Sequence, residues 1–218
     1  MTNNKPVYII HDGASKNTMN AVNAGIIELL LMANAPRVKV HDIGFWTQPE
    51  YEINGELLPY SSVLWYLQQG DVNNSSQLDV ERILDAFRAE PWQTANPHFD
   101  VLVTGFDLCA ADCNFCIGAA LPGIGAVIST ARWEGFSERD QFQLIKAETM
   151  HEVGHVFGLP NFNRTDLVQS LGGHCQNICI MRQGNLVPTD WVNYTNQAIE
   201  SGRPFCPACE RDLRNFFR

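Results

Sequence analysis

The chain of 218 residues has no apolar run approaching the roughly eighteen residues of a membrane-spanning helix, and its first ten residues, MTNNKPVYII, carry no long apolar stretch. Neither a membrane protein nor Sec-type secretion is expected, and cytoplasm is the expected compartment. Basic residues are also in short supply. Fifteen Lys and Arg stand against 24 Asp and Glu, a net charge of −9. That balance argues against nucleic acid or an anionic membrane as main partner, since both attract Lys/Arg-rich surfaces. There is no internal repeat and no low-complexity tract. What remains is ordinary globular material, 45% hydrophobic and 18% charged, of a length that suits one compact domain with a substantial core. Seven cysteines in a reducing compartment point to metal binding or chemistry rather than disulfides.

The pattern along the chain opens as strand–helix–strand. PVYIIHDG reads as a buried strand, Val7 to Ile10, with a turn at Asp12-Gly13. Residues 18–33 are helical in composition, and RVKVHDIG alternates into a second strand with Val38 and Val40 on one face. This is the start of an α/β layer. Residues 45–75 read as loops with a short helix around Ser61 to Gln69. Leu78–Ala89 carries an apolar stripe (Leu78, Ile83, Leu84, Phe87) and stops at Pro91. FDVLVTGFD and IGAVISTARW are two further strands, separated by LCAADCNFC. A helix then starts at Ser137, with Asp140 where a capping box usually has Glu or Gln, and runs to Gly158. Beyond Gly158 the glycines and prolines suggest loops.

The end of that last helix carries HEVGHVFGLPN, His151 to Asn161. Residues four apart share a helix face, so His151 and His155 can grip one metal ion through their imidazoles. Glu152 projects beside them, where it can take a proton from water activated by the metal without itself ligating. Gly158 allows a sharp exit that turns the chain back under the ion. A third ligand is missing from the helix, for Asn161 stands six residues after His155. Downstream, His174 follows two glycines and is the only later histidine; Asp166 and Asn161 compete, a carboxylate being able to ligate zinc and an amide being poor at it. The cysteines of the C-terminal part, Cys175, Cys179, Cys206 and Cys209, have the C-x3-C…C-x2-C spacing of a closed structural zinc site. A segment with so little core gains order from such an ion. Cys109, Cys113 and Cys116 form an incomplete set and read as buried thiols between two strands.

HExGHxxGL, then His-Cys, a short gap, Cys-x-Met and a final Cys-x-x-Cys together resemble the archaemetzincin family of zinc metallopeptidases. His151, Glu152, His155 and Gly158 match its helix motif, and His174-Cys175, Cys179, Met181, Cys206 and Cys209 follow in order. NFCIGAALPGIGAVISTARW is similar to the strand and edge strand that precede the family's helix, so the resemblance runs from about Val101 to Cys209. It implies His174 as third zinc ligand and Met181 as a Met-turn residue, a hydrophobic floor under the catalytic ion. Three departures accompany it: thirteen residues, Asn161 to Gly173, precede His174; three residues rather than four separate Cys175 from Cys179; and Met181 to Cys206 is longer than usual.

The expectation is therefore an α+β (α/β), zincin-like fold: a mixed sheet with the active-site helix in residues 1–158, and a small irregular zinc-binding subdomain in 159–218. The expected activity is peptide-bond hydrolysis by a monomer holding two Zn2+, one catalytic and one structural, with a peptide or protein as substrate. The alternatives are a peptidase with a carboxylate third ligand and a catalytically silent, zinc-stabilised peptide-binding module.

Overall fold

Residues 7–11, 99–104 and 125–129 are almost continuously apolar, which suits strands covered on both faces. In the computed structural model they form the centre of a five-stranded sheet. The structure describes residues 3–45, 51–53, 56–58, 63–71, 76–133, 135–169, 172–184 and 189–218. Along the chain lie β1 (Val7–His11), α1 (Lys16–Met32), β2 (Val40–Gly44), β3 (Tyr51–Ile53), β4 (Glu56–Leu58), α2 (Val63–Gly70), β5 (Gln77–Asp79), α3 (Val80–Ala89), α4 (Pro91–Ala95) and β6 (Phe99–Thr104). There follow β7 (Asp107–Ala110), β8 (Cys113–Cys116), β9 (Gly118–Leu121), β10 (Gly125–Ser129), α5 (Glu138–Val156), β11 (Leu167–Val168), β12 (His174–Cys175), α6 (Thr189–Glu200) and α7 (Pro207–Phe216).

The main sheet has the order β2-β1-β6-β10-β9. Its first four strands are parallel, and the edge strand β9 runs antiparallel to β10. The period of two along each strand divides the core. Val7, Ile9, Val101, Val103, Ala126 and Ile128 pack with α1 and α5, whereas Ile10, Leu102 and Val127 pack with α2 and α3. The fold is thus the mixed-sheet α/β arrangement expected. Helices α1 and α5 approach closely at Gly25, where a Cβ would lie 2.9 Å from the Lys146 carbonyl oxygen and 3.1 Å from Thr149 Cβ. Residues on both sides of Gly158 share one core, which includes Met150, Val156, Cys175, Met181, Trp191, Cys209 and Leu213. No helix among the described residues is long and apolar enough to cross a membrane.

Several elements differ from the sequence expectation. Leu78 lies in β5, because Asp79 caps the helix: its Oδ1 accepts the N–H of Glu81 at 3.0 Å and of Arg82 at 3.3 Å. Within residues 45–75, the described parts include the β3–β4 hairpin and α2; 46–50, 54–55, 59–62 and 72–75 lie outside the described residues, and with them most of VNNSS and the start expected for the short helix. The C-terminal part holds two helices where glycine and proline suggested loops. Those residues punctuate the helices: Gly202 has φ +67° just after α6, and Pro207 is the first residue of α7, where its missing N–H costs nothing. Residues 109, 113 and 116 lie half-buried on the β7–β8 hairpin of a second small sheet, not buried between strands of the main one.

At the start of β6, a buried ionic cluster ties α3 and α4 to the sheet. His98 Nε2 is 3.1 Å from both Glu90 Oε1 and Asp100 Oδ1, and Tyr66 Oη donates to Glu90 Oε2. Burial acts to lower the basicity of His98, but hydrogen bonds to Asp100 and Glu90 outweigh it and raise its pKa to about 10.

Candidate metal centre

Helix α5 begins at Ser137, whose Oγ accepts the Asp140 N–H at 3.2 Å, and carries His151 and His155 one turn apart near its end. Gly158, at φ +74°, turns the chain so that the Leu159 carbonyl comes back beneath the helix. That carbonyl is 2.6 Å from His155 Nδ1. The Ile180 carbonyl is 2.7 Å from His151 Nδ1, and Gly172 O is 3.2 Å from His174 Nδ1. A carbonyl only accepts, so each Nδ1 carries the proton and each Nε2 presents a lone pair.

Those lone pairs converge. His155 Nε2 lies 3.2 Å from His151 Nε2 and 3.3 Å from His174 Nε2. Burial first, and then the neighbouring imidazoles, push His151 well below the ordinary histidine value and His155 down to about 3, so the rings are neutral. Three lone pairs facing one another without a proton between them repel; a cation at their centre converts the repulsion into coordination. Two nitrogens bound about 2.0–2.1 Å from one zinc at the tetrahedral angle stand about 3.3–3.4 Å apart. The imidazoles fit that ion. Asp166 is engaged elsewhere, by Arg164 and by Asn177, and Asn161 is exposed, with its N–H donated to Asp212.

Glu152 is buried beside the histidines, with a carboxyl partner missing from the sequence reading. Glu148, one turn earlier on the same face, is 1% exposed and lies with Glu152 against Gly118 of β9. Burial raises both carboxyls, Glu152 to about 8, and the Glu152 charge pushes Glu148 further up. Edge strand β9 closes over the pair at Gly118, where a Cβ would lie 2.5 Å from Glu148 Oε1 and 2.7 Å from Glu152 Cγ. The i,i+4 spacing of the two glutamates was the available signal. A second unforeseen residue, Trp191 of α6, packs edge-on against His151 with ring centroids 5.1 Å apart; nothing local in the sequence marks it.

Met181 is fully buried under the helix. A Cβ on Gly154 would lie 2.6 Å from its Sδ, which gives the glycine of HEVGH a packing role. The four cysteines gather on the far side of β12. Cys175, Cys179, Cys206 and Cys209 are all buried, with their sulfurs mutually within 4.8 Å; Cys175 and Cys206 Sγ are 3.7 Å apart. Two thiolates about 2.3 Å from one tetrahedral zinc stand about 3.8 Å apart, so this set also fits zinc. The neighbouring thiols hold Cys175 well below the ordinary value and push Cys179 well above it, a crowding that a shared divalent cation relieves. Cys109, Cys113 and Cys116 do not gather into such a set among the described residues, whereas Glu90, His98 and Asp100 do.

No family model matches the chain. Individual relatives do. An archaemetzincin of Nanoarchaeum equitans is 34% identical over 109 residues, 50% of this chain and 48% of that protein. One from Natronomonas pharaonis is 30% identical over 145 residues, 59% of this chain and 72% of that protein. The chain belongs to the archaemetzincin family. It matches about half the length of the first relatives, 48% of the N. equitans protein and 46% of one from Archaeoglobus fulgidus. The fold agrees over nearly the whole chain. The crystal structure of the archaemetzincin of Methanopyrus kandleri superposes with a TM-score of 0.66 at 19% identity, covering 98% of this chain and 96% of that one. A zinc-dependent peptidase from Methanocorpusculum labreanum superposes at 0.59 with 20% identity, covering 95% and 99%.

Proposed function

We propose that this archaemetzincin-family chain is a zinc-dependent peptidase, with His151, His155 and His174 holding the catalytic ion. The observation that carries the reading is the convergence of three Nε2 lone pairs at 3.2–3.3 Å beside a buried glutamate. Zinc supplies a Lewis acid for the scissile carbonyl and makes water a nucleophile near neutral pH. The chain does the rest. The Ile180, Leu159 and Gly172 carbonyls fix the imidazoles as Nδ1–H tautomers, and Met181 and Trp191 hold His151 and its helix from below and beside. Glu152, buried beside the three imidazoles, accepts a proton from the attacking water and passes it to the departing amine. Support from the relatives is the peptidase named among the structural neighbours.

Cys175, Cys179, Cys206 and Cys209 take a second, structural zinc, making two per chain, and the protein works in the cytoplasm. Residues 1–158 serve as the peptidase scaffold and 159–218 as the zinc-stapled segment, with the peptide or protein substrate between them and the protein a monomer. The test is cleavage of a peptide library by wild type and by Glu152→Gln, with metal content measured on both. Cleavage lost in the variant with two zinc retained supports the proposal. Two zinc with no cleavage by wild type would leave a peptide-binding module as the function, and one zinc would remove one of the two sites.

A further inference from the structure

The segment Asn161–Gly173, which separates the helix exit from His174, is bound to the four-cysteine cluster by one side chain. Arg164 directs Nη1 to Cys209 Sγ at 3.1 Å and Nη2 to Cys175 Sγ at 3.4 Å. Its other N–H groups are held by aspartates: Nε and Nη2 by Asp166 Oδ1 and Oδ2 at 2.8 and 2.6 Å, Nη1 by Asp212 Oδ2 of α7 at 3.1 Å. The aspartates orient the planar guanidinium so that its remaining donors face sulfur, a geometry a lysine ammonium does not reproduce. Asn177 adds a bond to Cys175 Sγ at 3.3 Å and one to Asp166 Oδ2 at 2.8 Å, closing the ring. The Arg164 side chain is only 10% exposed.

Three residues after Arg164, the same segment becomes strand β11. Leu167 pairs with Cys175 and Val168 with His174, so the strand bearing the third imidazole is laddered to the segment that Arg164 anchors. We propose that Arg164 clamps this inserted hairpin onto the metal–thiolate cluster and so positions His174 at the three-histidine centre. Donors to a thiolate withdraw electron density from sulfur and steady its bond to the metal, as partners of metal ligands generally do. Arg164 touches neither substrate nor the reacting atoms; it is a positioning residue. The inference rests on the reading of the four cysteines as a zinc site.

The test uses the full chain loaded with zinc, and separately with Co2+, as wild type, Arg164→Met and Arg164→Lys. Zinc transfer to a chromophoric chelator is followed in its fast, histidine-bound phase and its slow, thiolate-bound phase. Arg164→Met is expected to accelerate both phases at least tenfold and to move the thiolate-to-cobalt charge-transfer band to lower energy, with Arg164→Lys in between. Wild-type band energy and release rates in a folded Arg164→Met protein would overturn the clamp. Acceleration of the slow phase alone would overturn the coupling to His174. Should Arg164→Met fail to fold, Arg164→Lys carries the test, and wild-type values in both phases overturn the inference. A wild-type protein that shows no thiolate-to-cobalt band at all refutes the underlying zinc site instead, and the clamp falls with it.

Discussion

Alanine at Gly118 isolates the role of the edge strand in aiming Glu152. The added Cβ would stand 2.5 Å from Glu148 Oε1, 2.7 Å from Glu152 Cγ and 3.0 Å from Glu152 Oε1. Carbon–carbon contacts are comfortable at about 3.5–4.0 Å, so something must retreat by about 1 Å. The strand is poorly placed to yield, since Gly118 pairs with Ile128 and Ile117 O accepts the Ser129 N–H at 2.8 Å. The helix backbone is pressed from its other side by α1 at Gly25. The glutamate side chains therefore move, out of a site where they are 1% and 6% exposed. Overpacking of this kind costs about 1–3 kcal/mol, and misplacing a reacting group by about 1 Å costs on the order of 100-fold in rate.

The expected result for Gly118→Ala is a kcat lower by about 100-fold, with zinc content unchanged, because the three atoms nearest the new methyl all belong to Glu148 and Glu152 and not to the histidines. Peptide-cleavage kinetics, elemental analysis and urea unfolding on one preparation supply the measurements. A folded, zinc-loaded Gly118→Ala enzyme with wild-type kcat would refute the claim that the bare strand sets the position of Glu152.

Replacing His98 by Gln leaves Glu90 and Asp100 buried without their cation and is expected to cost about 3–5 kcal/mol in urea unfolding. Because the folded-state pKa of His98 is raised, its contribution is fully present below about 6.5 and is lost as pH rises towards about 10; the gap between wild type and variant should narrow across that window. Gly154→Ala drives a methyl against Met181 Sδ, with an expected loss of about 1–3 kcal/mol that shrinks in a Met181→Ala background, measured by a double-mutant cycle. Graded chelation should remove one zinc together with activity first, the second leaving only at higher chelator concentration and with loss of near-ultraviolet dichroism from the C-terminal segment.

The parts of the site legible in the sequence were those set by short-range geometry. The spacing of His151 and His155 follows from the helical repeat, and the cysteine pairs from the size of a metal shell. His174 was legible as the only histidine after His155 and through the order of motifs, not through its spacing, because the residues between Gly158 and His174 hide its distance. Glu148 escaped notice for a different reason: a glutamate on a helix is usually solvated, and only the approach of Gly118 makes this one a buried partner of Glu152. The three carbonyls that fix the imidazoles have no side-chain signature whatever. In the C-terminal part, Gly202, Pro204 and Pro207 are turn formers that here separate α6 from α7, so the helices on either side of them, and Trp191 with them, were read as loop.

The pairing of β11 with His174-Cys175 of β12 has a geometric consequence. Successive residues of a strand point to opposite faces, so two adjacent positions can serve two separate clusters: His174 faces the helix histidines while Cys175 faces the sulfurs. The economy has a condition. A slip of one residue reverses every side chain of a strand, which here would present the thiol to the imidazoles and the imidazole to the thiols. A strand of two residues has little register information of its own. Register must come from outside it, from the Leu167↔Cys175 and Val168↔His174 pairs and from the Cys175 N–H donated to Met181 O at 2.8 Å. The segment between Gly158 and His174 therefore supplies the ladder that determines which of two adjacent side chains reaches the helix.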